Sequence, residues 1–320
     1  MNGKVRMSAS ILPLHRPVGA ARSARSTSSW RRVDRRLGVA LLVPAFAVFA
    51  VFVFYPLGKV IWLSTQGTDI FGQAAGFVGA KNFVTLFSDP HFGETLLRTA
   101  VFCVAVVAGR VVVGLAVTIP LTMTLRGMPI FRALLTSPLV VSVSAASVAF
   151  AAMLSPANGF VNSVITGFGG TAVPWLTSTQ WAFPSVIAVT VWGSLGFTVL
   201  LLLGAFGAID RDVIEAAHLD GAGPARTLWS ISLPLVTPTL FFIVVTGAVE
   251  ALTTFGQIQI LTGGGPANST STLVYTIYTS AFGAGGANFG MAAATGIVLF
   301  VLVLGLSLVQ FGLLEKRVNY

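Results

Sequence analysis

Two charged side chains lie inside strongly apolar stretches of the sequence. Arg110 follows Arg98 by 12 residues and precedes Arg126 by 16, about 18 and 24 Å along a helix, so its guanidinium cannot easily reach either helix end. Glu250 lies 15 residues beyond Leu235 in another apolar stretch. A charge at the centre of a membrane costs about 2.5–3.5 kcal/mol on insertion scales, which makes such residues functional candidates. Arg110 could bind an anionic or hydroxylated solute, form a salt bridge with Glu250 that joins two helices, or pair with another subunit.

A polar stripe begins at the second of these charges. Its members fall at i, i+3, i+4 and i+7, one face of a continuous helix: Glu250, Thr253, Thr254 and Gln257. Hydroxyl and amide groups that faced lipid would lack hydrogen-bond partners, so we expect this face to point into a helix bundle. We interpret it as the wall of a polar pathway, with helix–helix packing as the alternative. Thr190, Ser194 and Thr198 form a second stripe, for which packing and pathway fit equally well.

Composition places these residues in a membrane protein. The 320 residues are 55% hydrophobic and 9% charged, whereas soluble domains carry about 25% charged residues. A membrane-crossing helix needs about 20 mostly apolar residues. The sequence predicts an all-α polytopic protein with a basic, disordered tail at 1–36 and a transmembrane domain at 37–320. Its six predicted spans are 38–63, 96–121, 130–153, 183–207, 235–260 and 289–313.

The positive charges predict the orientation. Nine of the 19 Lys and Arg residues precede the first span, and further ones fall in the segments on the same side: Arg126, Arg132, Arg211, Arg226, Lys316 and Arg317. The segments 154–182 and 261–288 on the opposite side contain no Lys or Arg. Because positive loops stay in the cytoplasm, both termini are predicted to be cytoplasmic. A tail that binds nucleic acid or anionic lipid is the alternative reason for the N-terminal charge, and we predict membrane lipids but no nucleic acid as partners.

Several functional classes are excluded by what the sequence lacks. It has no G-x-x-x-x-G-K-[ST] motif for ATP, and neither G-x-S-x-G nor H-E-x-x-H, the motifs of common hydrolases. Its histidines, His15, His91 and His218, lack the spacing of metal ligands, and Cys103 stands alone in an apolar run. We therefore predict no catalytic residues, no metal and no cofactor, with energy supplied by another polypeptide.

The segment 210–234 carries the most specific pattern. Asp210 is suited to cap a short helix that Gly221 would close, and Pro224 fits the first turn of a second helix that ends near Pro234. Acidic and apolar residues share this segment, and acidic groups disfavour an anionic lipid surface. We therefore expect a protein partner to bind this segment.

Within it, Glu215-Ala216-Ala217 is followed after three residues by Gly221 and after nine more by Ile231-Ser232-Leu233-Pro234. This resembles the E-A-A-x3-G-x9-I-x-L-P loop of the membrane subunits of binding-protein-dependent ABC importers. The resemblance covers residues 37–320. Gly263-Gly264-Gly265-Pro266 is similar to the carbohydrate-uptake branch, and the C-terminal tail to its glycerol-3-phosphate (Ugp-type) members. In many relatives Phe-Asp stands where this chain has Phe255-Gly256.

The resemblance implies a type I ABC importer permease fold in a bacterial inner membrane. It implies that a separate ATPase docks on the coupling residues Glu215, Ala216, Ala217, Asp220, Gly221, Ile231, Leu233 and Pro234. The partners would be a second permease subunit, a dimer of ATP-binding subunits and an extracytoplasmic solute-binding protein. The solute would be glycerol-3-phosphate or its diesters, with a disaccharide or oligosaccharide as the alternative. A stand-alone channel or secondary transporter would leave the segment 210–234 unexplained.

Overall fold

The computed structural model describes residues 38, 40–69, 72–122, 127–283 and 287–314. The predicted tail, Arg126, Lys316 and Arg317 lie outside the described residues. Two compact units make up the chain, Met1–Leu57 and Gly58–Tyr320. The described part of the first unit is helical from Ala40, with a π-helical turn at Ala50–Phe54.

Five helices among the described residues are long and apolar enough to cross a membrane. They are α1 (Ala40–Ser64), α3 (Pro90–Leu121), α7 (Ala182–Gly207), α9 (Pro224–Leu252) and α12 (Phe289–Leu314). Shorter elements connect them: strands β1 (Gln66–Thr68) and β2 (Ala74–Phe77), and helices α2 (Lys81–Ser88), α4 (Met128–Thr136), α5 (Val143–Met153), α6 (Phe160–Gly167), α8 (Arg211–Leu219), α10 (Gly256–Leu261) and α11 (Leu273–Phe282). The strands pair as one antiparallel hairpin.

The third predicted span, 130–153, is not one straight helix. The segment Met128–Val140 consists of α4 and a 3-10 turn, and it meets α5 at an angle of 106°. Pro138 lies in that turn, where its missing N–H weakens helix continuation. Ser142 is extended, and its hydroxyl caps α5 by accepting a hydrogen bond from the amide of Ala145. The chain therefore makes a sharp bend inside an apolar run, as a broken span or a re-entrant loop.

The fifth predicted span, 235–260, also differs from the structure. Helix α9 begins at Pro224, passes through a π-helical turn at Leu228–Ser232 and continues past Pro234, which was predicted to end the preceding short helix. At the other end it stops at Leu252, and α10 starts only at Gly256. Of the residues predicted to couple to an ATPase, Ile231, Leu233 and Pro234 therefore lie on the same continuous helix as Glu250.

The centre of the second unit is the packing of α3 against α7 and α9. Glycines bring the first two helices close together. A Cβ added at Gly109 would lie 2.8 Å from the Val191 side chain, and one at Gly114 would lie 2.6 Å from that of Thr198. Because such contacts are too short for a real Cβ, these glycines set the separation of the two helices. This close approach positions the charged pair described below.

Candidate functional site

The segment 210–234, where the sequence predicts that an ATPase docks, forms the two helix starts that the sequence predicts. The Asp210 side chain caps α8 by accepting a hydrogen bond from the amide of Asp212 at 3.1 Å. Gly221 follows α8 in the left-handed region at φ +78°, a conformation that strains residues with a Cβ. Pro224 occupies the first turn of α9. Each local feature thus turns the chain so that α8 is presented between two membrane-crossing helices.

The surface of this segment combines exposed carboxylates and exposed apolar side chains. Glu215 and Asp220 are exposed, whereas Ala217 is buried against the rest of the chain. Leu219 is 89% exposed and Trp229 is 69% exposed. Ile231 and Leu233 are half-buried in the π-helical region, and Ala216 and Pro234 are exposed. Large exposed apolar side chains next to acidic ones are suited to a protein partner that covers them.

Arg110 and Glu250 form the second feature. The Arg110 Nη1 donates a hydrogen bond to the Glu250 Oε2 at 2.7 Å. The Arg110 Nε donates to the Thr198 hydroxyl, also at 2.7 Å, and the guanidinium carbon lies 5.7 Å from the centre of the Phe197 ring. Three helices, α3, α7 and α9, therefore meet around one guanidinium group.

The two members of the pair differ in burial. The Arg110 side chain is 2% exposed and that of Glu250 is 58% exposed. Gly247 allows the approach, because a Cβ there would lie 3.3 Å from the Arg110 Nη1. The arginine is thus a fixed interior cation, and the carboxylate lies at the surface of the chain. A carboxylate facing hydrocarbon at this depth would be costly, so this surface should meet protein or water.

The predicted stripe from Glu250 to Gln257 is wrong as a single helical face, because α9 ends at Leu252. Thr253 is exposed beside Glu250, but Thr254 is buried and its hydroxyl donates to the Glu250 backbone carbonyl at 2.9 Å. Gln257 is half-buried on α10. Thr246, one turn before Glu250 on α9, is half-buried, and its hydroxyl donates to the Phe242 backbone carbonyl at 2.8 Å. Sequence spacing could have found Thr246, since it lies at i−4 from Glu250.

The second stripe is packing surface. Thr190, Ser194 and Thr198 are each at most 5% exposed, and their hydroxyls donate to α7 backbone carbonyls three or four residues earlier. The Thr198 hydroxyl also accepts a hydrogen bond from the Arg110 Nε. The sequence does not predict this contact, because glycines of α3 determine how α7 packs against it. For these residues the structure favours helix packing.

Comparisons with known proteins agree with this architecture. The family described as "Binding-protein-dependent transport system inner membrane component" matches residues 102–320. The sn-glycerol-3-phosphate transport system permease protein UgpA of Yersinia enterocolitica is 35% identical over 88% of this chain and 94% of its own length. The protein of that name from Agrobacterium fabrum is 34% identical, with coverage of 88% and 95%.

A solved structure shares the fold. It is a bacterial alginate ABC transporter in complex with an alginate pentasaccharide-bound periplasmic protein, and one of its chains gives a TM-score of 0.77 at 22% identity. The match covers 91% of this chain and 98% of that one. At 22% identity this similarity shows only that the two proteins share a fold. With the family match and the relatives above, it follows that the chain belongs to the binding-protein-dependent transport system inner membrane components, the permease subunits of ABC importers.

Proposed function

We propose that this chain forms half of the translocation pathway for sn-glycerol-3-phosphate or glycerophosphodiesters. The observation that carries the proposal is its 35% identity, over 88% of its length, to a permease protein of sn-glycerol-3-phosphate transport. A second permease subunit supplies the other half of the pathway. Two ATP-binding subunits lie on the cytoplasmic side, and a solute-binding protein delivers the solute outside.

The mechanism relies on movement and not on covalent chemistry. ATP-driven closure of the ATP-binding subunits moves the coupling segment, α8 and the start of α9. The membrane helices then change from inward-facing to outward-facing around a central site. The exposed carboxylates and apolar side chains of the segment support this docking role, in which Glu215 and Asp220 contact the ATPase and Gly221 makes the turn. In the proposed orientation both termini are cytoplasmic, as the positive charges predict.

Arg110, Glu250, Thr253, Thr254 and Gln257 are the proposed pathway residues. The exposed Glu250 carboxylate and the exposed Thr253 form the pathway wall, and Arg110 holds the carboxylate in place from behind. Thr254 and Gln257 support the break after α9. The Glu250 carboxylate accepts hydrogen bonds from hydroxyl groups of the solute or from the second permease subunit.

The coupling role is tested by paired substitutions in the assembled transporter. Glu215→Gln and Gly221→Ala should abolish solute uptake and weaken retention of the ATPase, while membrane insertion stays normal. The controls are Asp212→Asn, an exposed acid on the same helix, and Gly223→Ala, a glycine at φ −72° with open space around it. Normal uptake by the Glu215 and Gly221 variants would rule out this role.

The solute is tested by uptake of labelled sn-glycerol-3-phosphate in cells that express the transporter with its binding protein. Glycerophosphodiesters should compete for uptake, and disaccharides should not. The carbohydrate alternative rests on Gly263-Gly264-Gly265-Pro266, which is similar to the carbohydrate-uptake branch. Competition by a disaccharide or an oligosaccharide alone would replace the first proposal with the second.

A further inference from the structure

Three tryptophans converge on an apolar groove away from the coupling segment and the charged pair. Its volume is about 320 Å³. Phe150 of α5 and Leu154, directly after that helix, form one wall. The floor is formed by α7 with Pro184, Ala188 and Trp192, which recur every four residues on one helix face. Two T-shaped ring pairs fix the aromatic walls, Phe150 with Trp192 at 4.9 Å and Trp175 with Trp181 at 5.3 Å.

The groove has an apolar interior. The indole N–H of Trp175 donates to the Asn162 Oδ1 at 3.0 Å, so its polar atom is satisfied within the protein and its ring is left for the groove. The same Asn162 side chain also binds both backbone groups of Val173, which fixes the segment that carries Trp175. The connecting segment 155–180 contains no Asp, Glu, Lys or Arg. Apart from Ser185, the described side chains that line the groove are apolar or aromatic, so a charged ligand would find no counter-charge along these walls.

The dimensions match one hydrocarbon chain. Trp181 directly precedes α7 and Trp192 lies 11 residues further, about 16 Å along the helix. Half of a membrane's hydrocarbon thickness of about 30 Å is almost the same length. Spread over that length, 320 Å³ gives a mean cross-section of about 20 Å², whereas a helix of about 10 Å diameter has a cross-section of about 80 Å². A single extended chain fits this slot, whereas a neighbouring helix does not.

The mouth of the groove is polar but uncharged. The residues that join Trp175 to Trp181 include Thr177, Thr179 and Gln180, whose side chains are exposed. Tryptophans are enriched at membrane–water interfaces, and the neighbouring hydroxyl and amide groups are suited to the ester and headgroup region of a lipid. Since the described residues that line the groove include no lysine or arginine, we expect no preference for anionic headgroups.

We propose that this groove binds one acyl chain of a phospholipid from the leaflet at the N-terminal end of α7. The headgroup lies at the mouth near Trp181, and the chain end reaches Trp192. Bound there, the lipid fills the space between α5 and α7 and so supports the sharp bend between α4 and α5. The inference does not depend on the identity of the transported solute.

Quenching by brominated phosphatidylcholine tests the site in the assembled transporter in lipid nanodiscs. Single-tryptophan variants keep either Trp181 or Trp192, with the remaining tryptophans replaced by phenylalanine. Bromines near the chain end should quench Trp192 more strongly, and bromines near the headgroup should quench Trp181 more strongly. Ala188→Phe, which fills the floor, should restore the fluorescence of Trp192.

Leu200→Phe is the matched control, because Leu200 is an exposed residue of α7 outside the groove. It should leave the quenching of Trp192 unchanged. Mass spectrometry of the detergent-purified transporter should show a retained phospholipid that Ala188→Phe removes and Leu200→Phe does not. If Trp192 is not quenched in the assembled transporter, the proposal is overturned. If Trp192 is quenched only in the chain without its partners, the second permease subunit covers the groove in place of a lipid. Equal quenching in the Ala188→Phe variant would reduce it to ordinary lipid contact and overturn the specific site.

Discussion

Removing Glu250 should destabilise the protein because it leaves a buried cation without its counter-charge. In Glu250→Ala, the Arg110 guanidinium keeps the Thr198 hydroxyl and the Phe197 ring but loses its carboxylate at 2.7 Å. Breaking a fully buried ion pair costs about 3–5 kcal/mol. Because the Glu250 side chain is 58% exposed, water replaces part of the lost interaction, and we expect a loss of about 1–3 kcal/mol.

Removing Arg110 has a different physical cost. Arg110→Ala deletes a long buried side chain that lies against Gly247 and Phe197, and it leaves the Glu250 carboxylate at a surface where it can be solvated. The loss then comes mainly from the cavity and the missing packing. The double variant Arg110→Ala/Glu250→Ala should be no less stable than Arg110→Ala alone. We expect a coupling free energy of about 1–3 kcal/mol between the two sites.

The assay is a double-substitution cycle on the purified transporter in detergent. Apparent midpoints of thermal unfolding are compared at one fixed scan rate, since unfolding of such assemblies is often irreversible, and uptake is measured in parallel. Arg110→Met is the informative control because it fills the site without a charge, and it should be more stable than Arg110→Ala. Additive losses in the double variant would refute the reasoning.

The other two predictions concern the contacts that position the bent segment and the neighbouring helix. Gly196→Val should lower the apparent unfolding midpoint through overpacking that costs about 1–3 kcal/mol, since a Cβ at Gly196 would lie 2.6 Å from the Leu139 amide nitrogen. The control Gly193→Val should leave the midpoint unchanged, because Gly193 has open space around it. An equal loss in both variants would contradict the argument. Arg132→Gln should lower the same midpoint by removing the two guanidinium hydrogen bonds to the Leu121 carbonyl, at 2.7 and 3.1 Å, worth about 1.5–3 kcal/mol as bonds from a charged group. An unchanged midpoint in Arg132→Gln would mean that water replaces both bonds.

Helix caps and turns could be predicted from the sequence, because neighbouring residues determine them. Asp210, Gly221 and Pro224 have the predicted capping and turn roles because each acts on the backbone within a few residues. The Arg110–Glu250 salt bridge is one of the three hypotheses for Arg110. It could be predicted because two isolated charges in apolar helices are costly unless they pair.

Features that depend on breaks in helices could not be foreseen in this way. Pro138 and Ser142 each weaken a helix, yet neither specifies a bend of 106°. The stripe from Glu250 to Gln257 assumed an unbroken helix, and the chain instead turns at Thr253. There Phe255 packs at 4.8 Å from Tyr278 of α11, a contact between residues 23 positions apart that periodicity does not report.

The continuity of α9 has a mechanical consequence. Pro224 at its start and Glu250 near its end are 26 residues apart, or about 39 Å along a helix, so in the proposed mechanism α9 acts as a lever arm between the ATPase and the pathway. A tilt of about 5° about one end would displace the other by about 3 Å over such a length, enough to make or break a hydrogen bond. The regular hydrogen bonding is interrupted at the π-helical turn Leu228–Ser232 and at Pro238, so the part of α9 beyond Pro238, which carries Glu250, is its regular part. If the proposed mechanism holds, a movement at the start of α9 reaches the carboxylate of Glu250 along one helix, without intervening loops.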